Sequence, residues 1–274
     1  MLVVIPARRL VLTCSALVML LSVSHFYRLV AGVRRGVTLE GIPLTGMTSA
    51  EVRALVEGIA RGRAVPPRDA GLDKSGKVIA HRVGRSVDIE ATVRRVMDAD
   101  KGAFVEVVTL EVQPEFTTEN IRALKVVLGA CRTSVGGSAE RAFNVALAAS
   151  MLNNTLVYPG EVFSFNERVG PFTASRGFRP APVIVQDQLQ LGPGGGVCQV
   201  ASTLYNACLL SGLTIVERHA HSRPVRYVPP GRDATVADGL KDFKFRNDYP
   251  FPVIIKAGSV GRRLSIWFLG ARKE

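Results

Sequence analysis

The chain opens on an apolar run, Leu10–Ser24, behind Arg8 and Arg9. A positive flank before about 15 apolar residues is the pattern of a secretory h-region. Continued to Val33 it becomes a short signal anchor, and either form exports the remainder of the chain. Farther along, Thr48-Ser49-Ala50-Glu51 supplies helix-capping residues. Val52, Leu55, Val56 and Ile59 then recur at helical spacing. Lys77–Val83 predicts a strand, Val87–Val96 a second helix, and Phe104–Val112 a β-branched strand. A second unit begins near Thr133. Ser138 is placed to cap a helix running to Asn153, with Phe143, Ala146, Leu147, Ser150 and Met151 inward. Val157–Asn166 holds a Pro-Gly turn leading into a strand, and Val183–Leu191 reads as another strand, pausing at Gly192–Gly196. Ala201, Leu204, Tyr205 and Cys208 then mark the inner face of a helix stopped by Gly212. Leu213–His221 predicts a strand that sets Glu217, His219 and His221 on one face. Val253–Ala257 and Leu264–Leu269 predict a hairpin. The expectation is an α+β protein: an N-terminal apolar helix as signal peptide or anchor (1–35), then two small mixed domains (36–128 and 133–270).

Composition narrows the partners. The chain has 274 residues, 47% hydrophobic and 21% charged, with net charge +12. It can therefore bury a core, and its basic excess suits an anionic partner. The basic residues are not interleaved with aromatics, which argues against nucleic acid and leaves an acidic membrane surface or a wall polymer. Cys14 lies in the apolar segment. On one helix Cys198 and Cys208 would stand about 15 Å apart, too far to bridge, so any disulfide must use Cys131 and one thiol stays free.

The richest segment is 194–206, Gly-Gly-Gly-Val-Cys-Gln-Val-Ala-Ser-Thr-Leu-Tyr-Asn. It delivers Cys198 to the first turn of a helix, where free N–H groups and the dipole can lower a thiol pKa below its usual value of about 8.5. Gly195 and Gly196 would let a substrate carbonyl approach the backbone. His219-Ala220-His221 lies downstream. A cysteine, a glycine loop and a histidine make the skeleton of a thiol acyl-transfer site.

At these residues the chain resembles the VanW family. The resemblance rests on PGEVFSFN (159–166), GGGVCQVASTLYNA (194–207), ERHAHSRPVRYVPPGRDATV (217–236) and DFKFRND (242–248). The stretch 41–51, GIPLTGMTSAE, is similar to the peptidoglycan-binding domain often found upstream of VanW domains. The resemblance implies a bacterial cell-envelope protein, in a family named from glycopeptide-resistance clusters. Some of its members are L,D-transpeptidases that use the motif cysteine. By position it assigns the nucleophile to Cys198 and the motif histidine to His221.

In that chemistry the Cys198 thiolate attacks a stem-peptide carbonyl and releases a D-amino acid. The side-chain amine of a second stem resolves the thioester. His221 carries the proton, and first-turn N–H groups hold the oxyanion. Asp233, Glu217 or Asp242 would orient the imidazole. Arg218, Arg232 or Arg223 would take a substrate carboxylate, with Gln199 beside them in the cleft. This reading needs no cofactor and no metal. Its partners are peptidoglycan stem peptides and, through the N-terminal segment, the membrane. It places the protein on the extracytoplasmic face, or in the wall if the signal is cleaved. Two alternatives stand beside it: zinc held by Glu217, His219, His221 and Cys198, and a non-catalytic wall-polymer binding module.

Overall fold

The computed structural model describes residues 31–185 and 188–272, together with 19 and 22. Most of the N-terminal segment expected as signal or anchor therefore lies outside the described residues. Among those described, no helix is long and apolar enough to cross a membrane. The protein is mixed helix and sheet, as expected. In chain order its elements begin β1 (Thr38–Leu39), β2 (Ile42–Pro43), α1 (Ser49–Arg63), β3 (Gly71–Leu72), β4 (Val78–Ile79), β5 (Gly84–Val87), α2 (Ile89–Asp98), β6 (Phe104–Val105), β7 (Thr109–Val112) and α3 (Thr118–Arg122). They continue with β8 (Val126–Ser134), α4 (Ala139–Leu152), β9 (Thr155–Val157), β10 (Val162–Ser164), α5 (Phe165–Val169), β11 (Pro180–Val185) and β12 (Gln188–Pro193). The last are α6 (Val197–Leu210), β13 (Thr214–Glu217), β14 (Lys244–Arg246), β15 (Val253–Val260) and β16 (Arg263–Gly270).

These elements form two compact units. The first holds the described residues up to Arg68 and Arg82–Pro114. Thr48 caps α1 in a reciprocal box with Glu51, and Val52 and Val56 are buried with Val37, Leu39, Leu44 and Val96. The expected strand over 104–112 is broken into β6, beside β1, and β7, beside β5. The expected strand over 77–83 shrinks to β4.

The second unit holds Asp69–His81 and Glu115–Glu274, so the division falls earlier than the one drawn at 128–133. That line runs through β8, whose nine residues were not foreseen because it does not alternate cleanly. An antiparallel four-stranded sheet, β8–β16–β15–β9, carries α4 and α6 on one face. A three-stranded sheet, β10–β14–β13, is joined to it by a ring contact: Phe245 of β14 meets Phe268 of β16 edge-on at 5.4 Å, while within its own sheet Phe245 stacks on Phe163 at 5.0 Å. Two sheets cannot pack stably without such shared apolar volume. The expected single strand over 183–191 is instead two strands, β11 and β12, paired antiparallel.

One buried amide decides where the glycine run lies. Asn144 on α4 is fully buried; its Nδ2 donates to Arg179 O (2.8 Å) and Gly195 O (3.1 Å), and its Oδ1 accepts from Arg179 N (2.8 Å). Removing it strands buried backbone groups, each costing about 1–3 kcal/mol. Asn144→Ala is therefore expected to lower unfolding free energy by about 3 kcal/mol, measured by urea titration, with little change in slope. A loss under about 1 kcal/mol would show that the turn is held without this amide.

Candidate active site

The glycine run is a strand-to-helix turn whose glycines are required by packing. A Cβ on Gly195 would lie 2.7 Å from the Ala181 Cβ and from Pro182 O. Gly196 has φ +107° and faces Val145 and Arg141 of α4, where a Cβ would come within 2.9 Å of Val145. Neither glycine opens space for a substrate, contrary to the expectation for these two positions. Their effect is to seat α6 close against α4 and β11. Gly196 is the N-cap of α6 and Cys198 its second residue. Val197 N and Gln199 N donate to Gly194 O and Gly196 O, both at 3.0 Å.

Gln199 turns inward. It is 1% exposed, and its Nε2 donates to Thr133 Oγ1 and Ser134 O, both at 2.9 Å, while its Oε1 is buried with no partner among the described residues. It anchors α6 to β8 and does not line a cleft, which corrects its expected substrate role. Thr203 reinforces the seam with a 2.9 Å hydroxyl contact to Thr133.

The histidine side of the site is built around Asp233. Its Oδ2 accepts from His221 N (2.7 Å) and pairs with His221 Nδ1 (2.6 Å). Its Oδ1 accepts from Arg218 Nη2 at 2.9 Å, and its carbonyl accepts from Arg218 Nε at 2.7 Å. A carboxylate only accepts, so Nδ1 carries the proton and Nε2 is left as the basic nitrogen of the neutral ring. Of the orienting residues considered, Asp233 is the one that meets the imidazole. The Arg218 guanidinium also reaches Gly231 O and lies over the Tyr205 ring, so it is occupied and not presented to a ligand carboxylate. Arg232 is exposed; its N–H donates to Pro229 O at 3.1 Å and its carbonyl accepts from Asn206 Nδ2 at 2.6 Å.

Ser202 ties the cysteine helix to the loop at Ala234, and Tyr227, which was not singled out as chemical from the sequence, borders the histidine. The Tyr227 ring stands edge-on to His221, with centroids 6.5 Å apart. Ser202 is fully buried; its Oγ contacts Cys198 O (2.8 Å) and Ala234 O (3.1 Å) and accepts from Ala234 N (2.8 Å). The signal for Tyr227 was its place inside the long 217–236 motif, which spacing alone does not convert into proximity. The Cys198 thiol donates to Val236 O at 3.5 Å, so in this resting arrangement it is not bonded to His221.

Burial pushes the Cys198 thiol pKa up, against the pull of the Val236 and Cys198 backbone and of the Arg141 and Lys241 charges. The helix N-terminus does not by itself yield a thiolate here. Burial likewise raises the Tyr227 hydroxyl, with the Cys198 charge adding to it, and lowers the guanidinium of half-buried Arg141. For Asp233, burial alone would raise the pKa, but the His221 backbone and ring bonds outweigh it and hold the carboxyl below its usual value.

His219 does not join His221. Strand β13 ends at Glu217, so both histidines lie beyond it; His219 Nε2 meets Glu217 Oε1 at 2.9 Å, while His221 goes to Asp233. Among the described residues no group of three His, Cys, Asp or Glu side chains is gathered, so the alternative zinc ligand set of Glu217, His219, His221 and Cys198 is not assembled. Asp242 accepts from Ser164 Oγ (2.5 Å), Asn166 N and Phe243 N, and serves the turn into β14. Cys131, Cys198 and Cys208 are free thiols, with Cys208 in the core as expected.

Two measurements test these electrostatics. Iodoacetamide labelling with peptide mass spectrometry near pH 7 is expected to modify Cys198 more slowly than free glutathione, accelerating above about pH 9. Faster labelling near neutrality would show a preformed thiolate. Lys244 and then His219 hold the Glu217 pKa at about 2, below its ordinary 4.5. A depressed carboxyl stabilises the fold above its unfolded pKa, and that gain fades as pH falls through the folded one. The Tm gap between wild type and Glu217→Gln is therefore expected above about pH 4.5 and should close toward pH 2. A gap that does not change with pH would overturn this assignment.

Known proteins match the same residues. The family model described as VanW like protein covers residues 140–269. "Uncharacterized protein YoaR" of Bacillus subtilis (strain 168) is 38% identical over 205 residues, 73% of this chain and 68% of that protein. "Vancomycin B-type resistance protein VanW" of Enterococcus faecalis (strain ATCC 700802 / V583) is 34% identical over 114 residues, 40% of this chain and 42% of that protein. No solved structure matches. The turn, the cysteine helix and the Asp233–His221 loop all fall inside the matched span, and this chain belongs to the VanW family.

Proposed function

We propose that this protein is a cysteine acyltransferase of the cell envelope, an L,D-transpeptidase that joins peptidoglycan stem peptides. The observation that carries the reading is one assembly: Cys198 at a helix start, its thiol on Val236 O of the loop that follows Asp233, and a histidine whose Nδ1 is held by that Asp233. A carboxylate that fixes the imidazole tautomer leaves Nε2 to accept a thiol proton. The extracytoplasmic location and the membrane tether belong to the same proposal.

The thiol turns from Val236 O toward His221 and gives its proton to Nε2 as sulfur attacks the carbonyl carbon between an L- and a D-centre. The Cys198 N–H steadies the oxyanion, since the Val197 and Gln199 N–H groups are held by Gly194 O and Gly196 O. Collapse expels the D-amino acid, whose nitrogen takes the proton back. The side-chain amine of a second stem then attacks the thioester, and its departing proton restores the thiol. The raised thiol pKa fits this order, because deprotonation is coupled to attack. The name of the Enterococcus faecalis relative extends the proposal to cells challenged with vancomycin.

The test is mass spectrometry of purified disaccharide-tetrapeptide incubated with the full-length protein in non-ionic detergent, beside Cys198→Ala and His221→Ala. A cross-linked dimer lacking one D-alanine is expected, with losses on the order of 10³ or more in both variants. Tripeptide alone would make the protein a carboxypeptidase. No product from folded protein, with muropeptides of its own wall also tried, would leave the wall-polymer binding module as the reading.

A further inference from the structure

A surface hollow lies on the outer face of the four-stranded sheet, opposite the face that carries α6. Strand register fixes it. Trp267 pairs with Ala130 on β8 and Lys256 on β15, Ser265 with Arg132 and Gly258, and Arg263 with Ser134 and Val260. Alternation sends all of these outward while Leu264, Ile266 and Phe268 go to the core. The central positions are small, namely Ser265, Gly258 and Ser134, and the large side chains stand around them. The result is a hollow of about 540 Å³ lined by Arg132, Arg263, Arg262 and Trp267. A Cβ placed on Gly258 would meet nothing within 4 Å. A second hollow of about 200 Å³ shares Arg132, Ser265 and Trp267 and continues past Ala130 to Val127. The lining therefore forms a groove, of a size that suits a small ligand or a segment of a chain.

Charge selects the occupant. No carboxylate lines either hollow. Arg262 is tied to Val135 O and Gly137 O, and Lys256 to Asn154 Oδ1. Arg132 is exposed, as is Arg263, and neither guanidinium is engaged by another described residue. Arg132 is a diagonal cross-strand neighbour of Trp267, about 7 Å away. A flat indole face takes the apolar face of a sugar ring, and a guanidinium takes a planar carboxylate in two parallel bonds. A polyol phosphate would bring anions but no ring for the indole. A nucleic acid strand is better served by several aromatic platforms than by one. The geometry points to a carboxylated oligosaccharide, bound along the groove with a ring on Trp267 and carboxylates on Arg132 and Arg263. This stands independently of the acyl-transfer reading, since it uses neither Cys198 nor His221.

Trp267 is the single tryptophan of the chain, so its emission reports this groove alone. Full-length protein in a polyoxyethylene detergent, which has no sugar headgroup, is titrated with tetragalacturonate, cellotetraose, inorganic phosphate and an eight-residue oligothymidylate. The expected result is a saturable shift in Trp267 emission with tetragalacturonate. Its Kd should rise at least tenfold in Arg132→Gln/Arg263→Gln and with salt from about 50 to 500 mM. Calorimetry with Trp267→Ala, checked for fold by circular dichroism, is expected to lose the same binding. The proposal is overturned by no saturable response, by equal binding of cellotetraose or phosphate, by tighter binding of the oligothymidylate, or by an unaffected double variant. Transpeptidation by the double variant on soluble muropeptide is expected to stay at wild-type level, which keeps a failure here distinct from a failure of the acyl-transfer reading.

Discussion

The burial of α6 against β8 and β16 is the constraint on which the site depends. Val200, Ala201, Leu204, Ala207 and Cys208 are all buried, and each such side chain contributes on the order of one to a few kcal/mol when withdrawn from water. That packing fixes the rotation of the helix about its axis. Rotation decides that Gln199 and Thr203 meet Thr133 of β8, and that Cys198, one residue earlier, meets the loop running from Asp233 to Val236. Gly195 and Gly196 permit the close approach, because any side chain there would strike β11 or α4.

The loop answers the helix with one carboxylate. Asp233 accepts from Arg218 and twice from His221, which closes the segment between β13 and β14 on itself. A buried carboxylate is costly unless its oxygens are met, so this network holds as a unit or not at all. The same bonds orient the imidazole. Stability and chemistry therefore share the Arg218–Asp233 pair, and the arginine is not free for a ligand. Ser202 links the cysteine helix to the loop at Ala234, while burial outweighs the nearby positive charges and holds the pKa of the thiol on Val236 O above its ordinary value.

The regular elements were legible wherever local rules decide. The Thr48–Glu51 cap, the Ser138 cap, the stop after α6 at Gly212 and the C-terminal hairpin all rest on nearest-neighbour chemistry, and all are present. Cys198 near the start of α6 was readable for the same reason. Elements set by distant partners were not. β8 lacks clean alternation and exists because β16 pairs with its whole length. β13 stops at Glu217, short of His221, because His219 O accepts from Thr235 N and His221 N donates to the Asp233 carboxylate in place of a strand partner.

Sequence by itself determined the family motifs, the capped helices and the C-terminal hairpin, and the residue types brought to the site: a cysteine at a helix start, a downstream histidine and a nearby carboxylate. Only the tertiary structure decided their relations. It chose Asp233 over Glu217 and Asp242 for the imidazole, turned Gln199 into the core, occupied Arg218, and brought in Tyr227 and Ser202. It also laid Trp267 beside Arg132 across strands β16 and β8, an aromatic–basic pairing absent from the linear order. The physical reason is range. Caps, turns and apolar periodicity act over a few residues, whereas burial, hydrogen-bond satisfaction and strand register act between residues far apart in the chain.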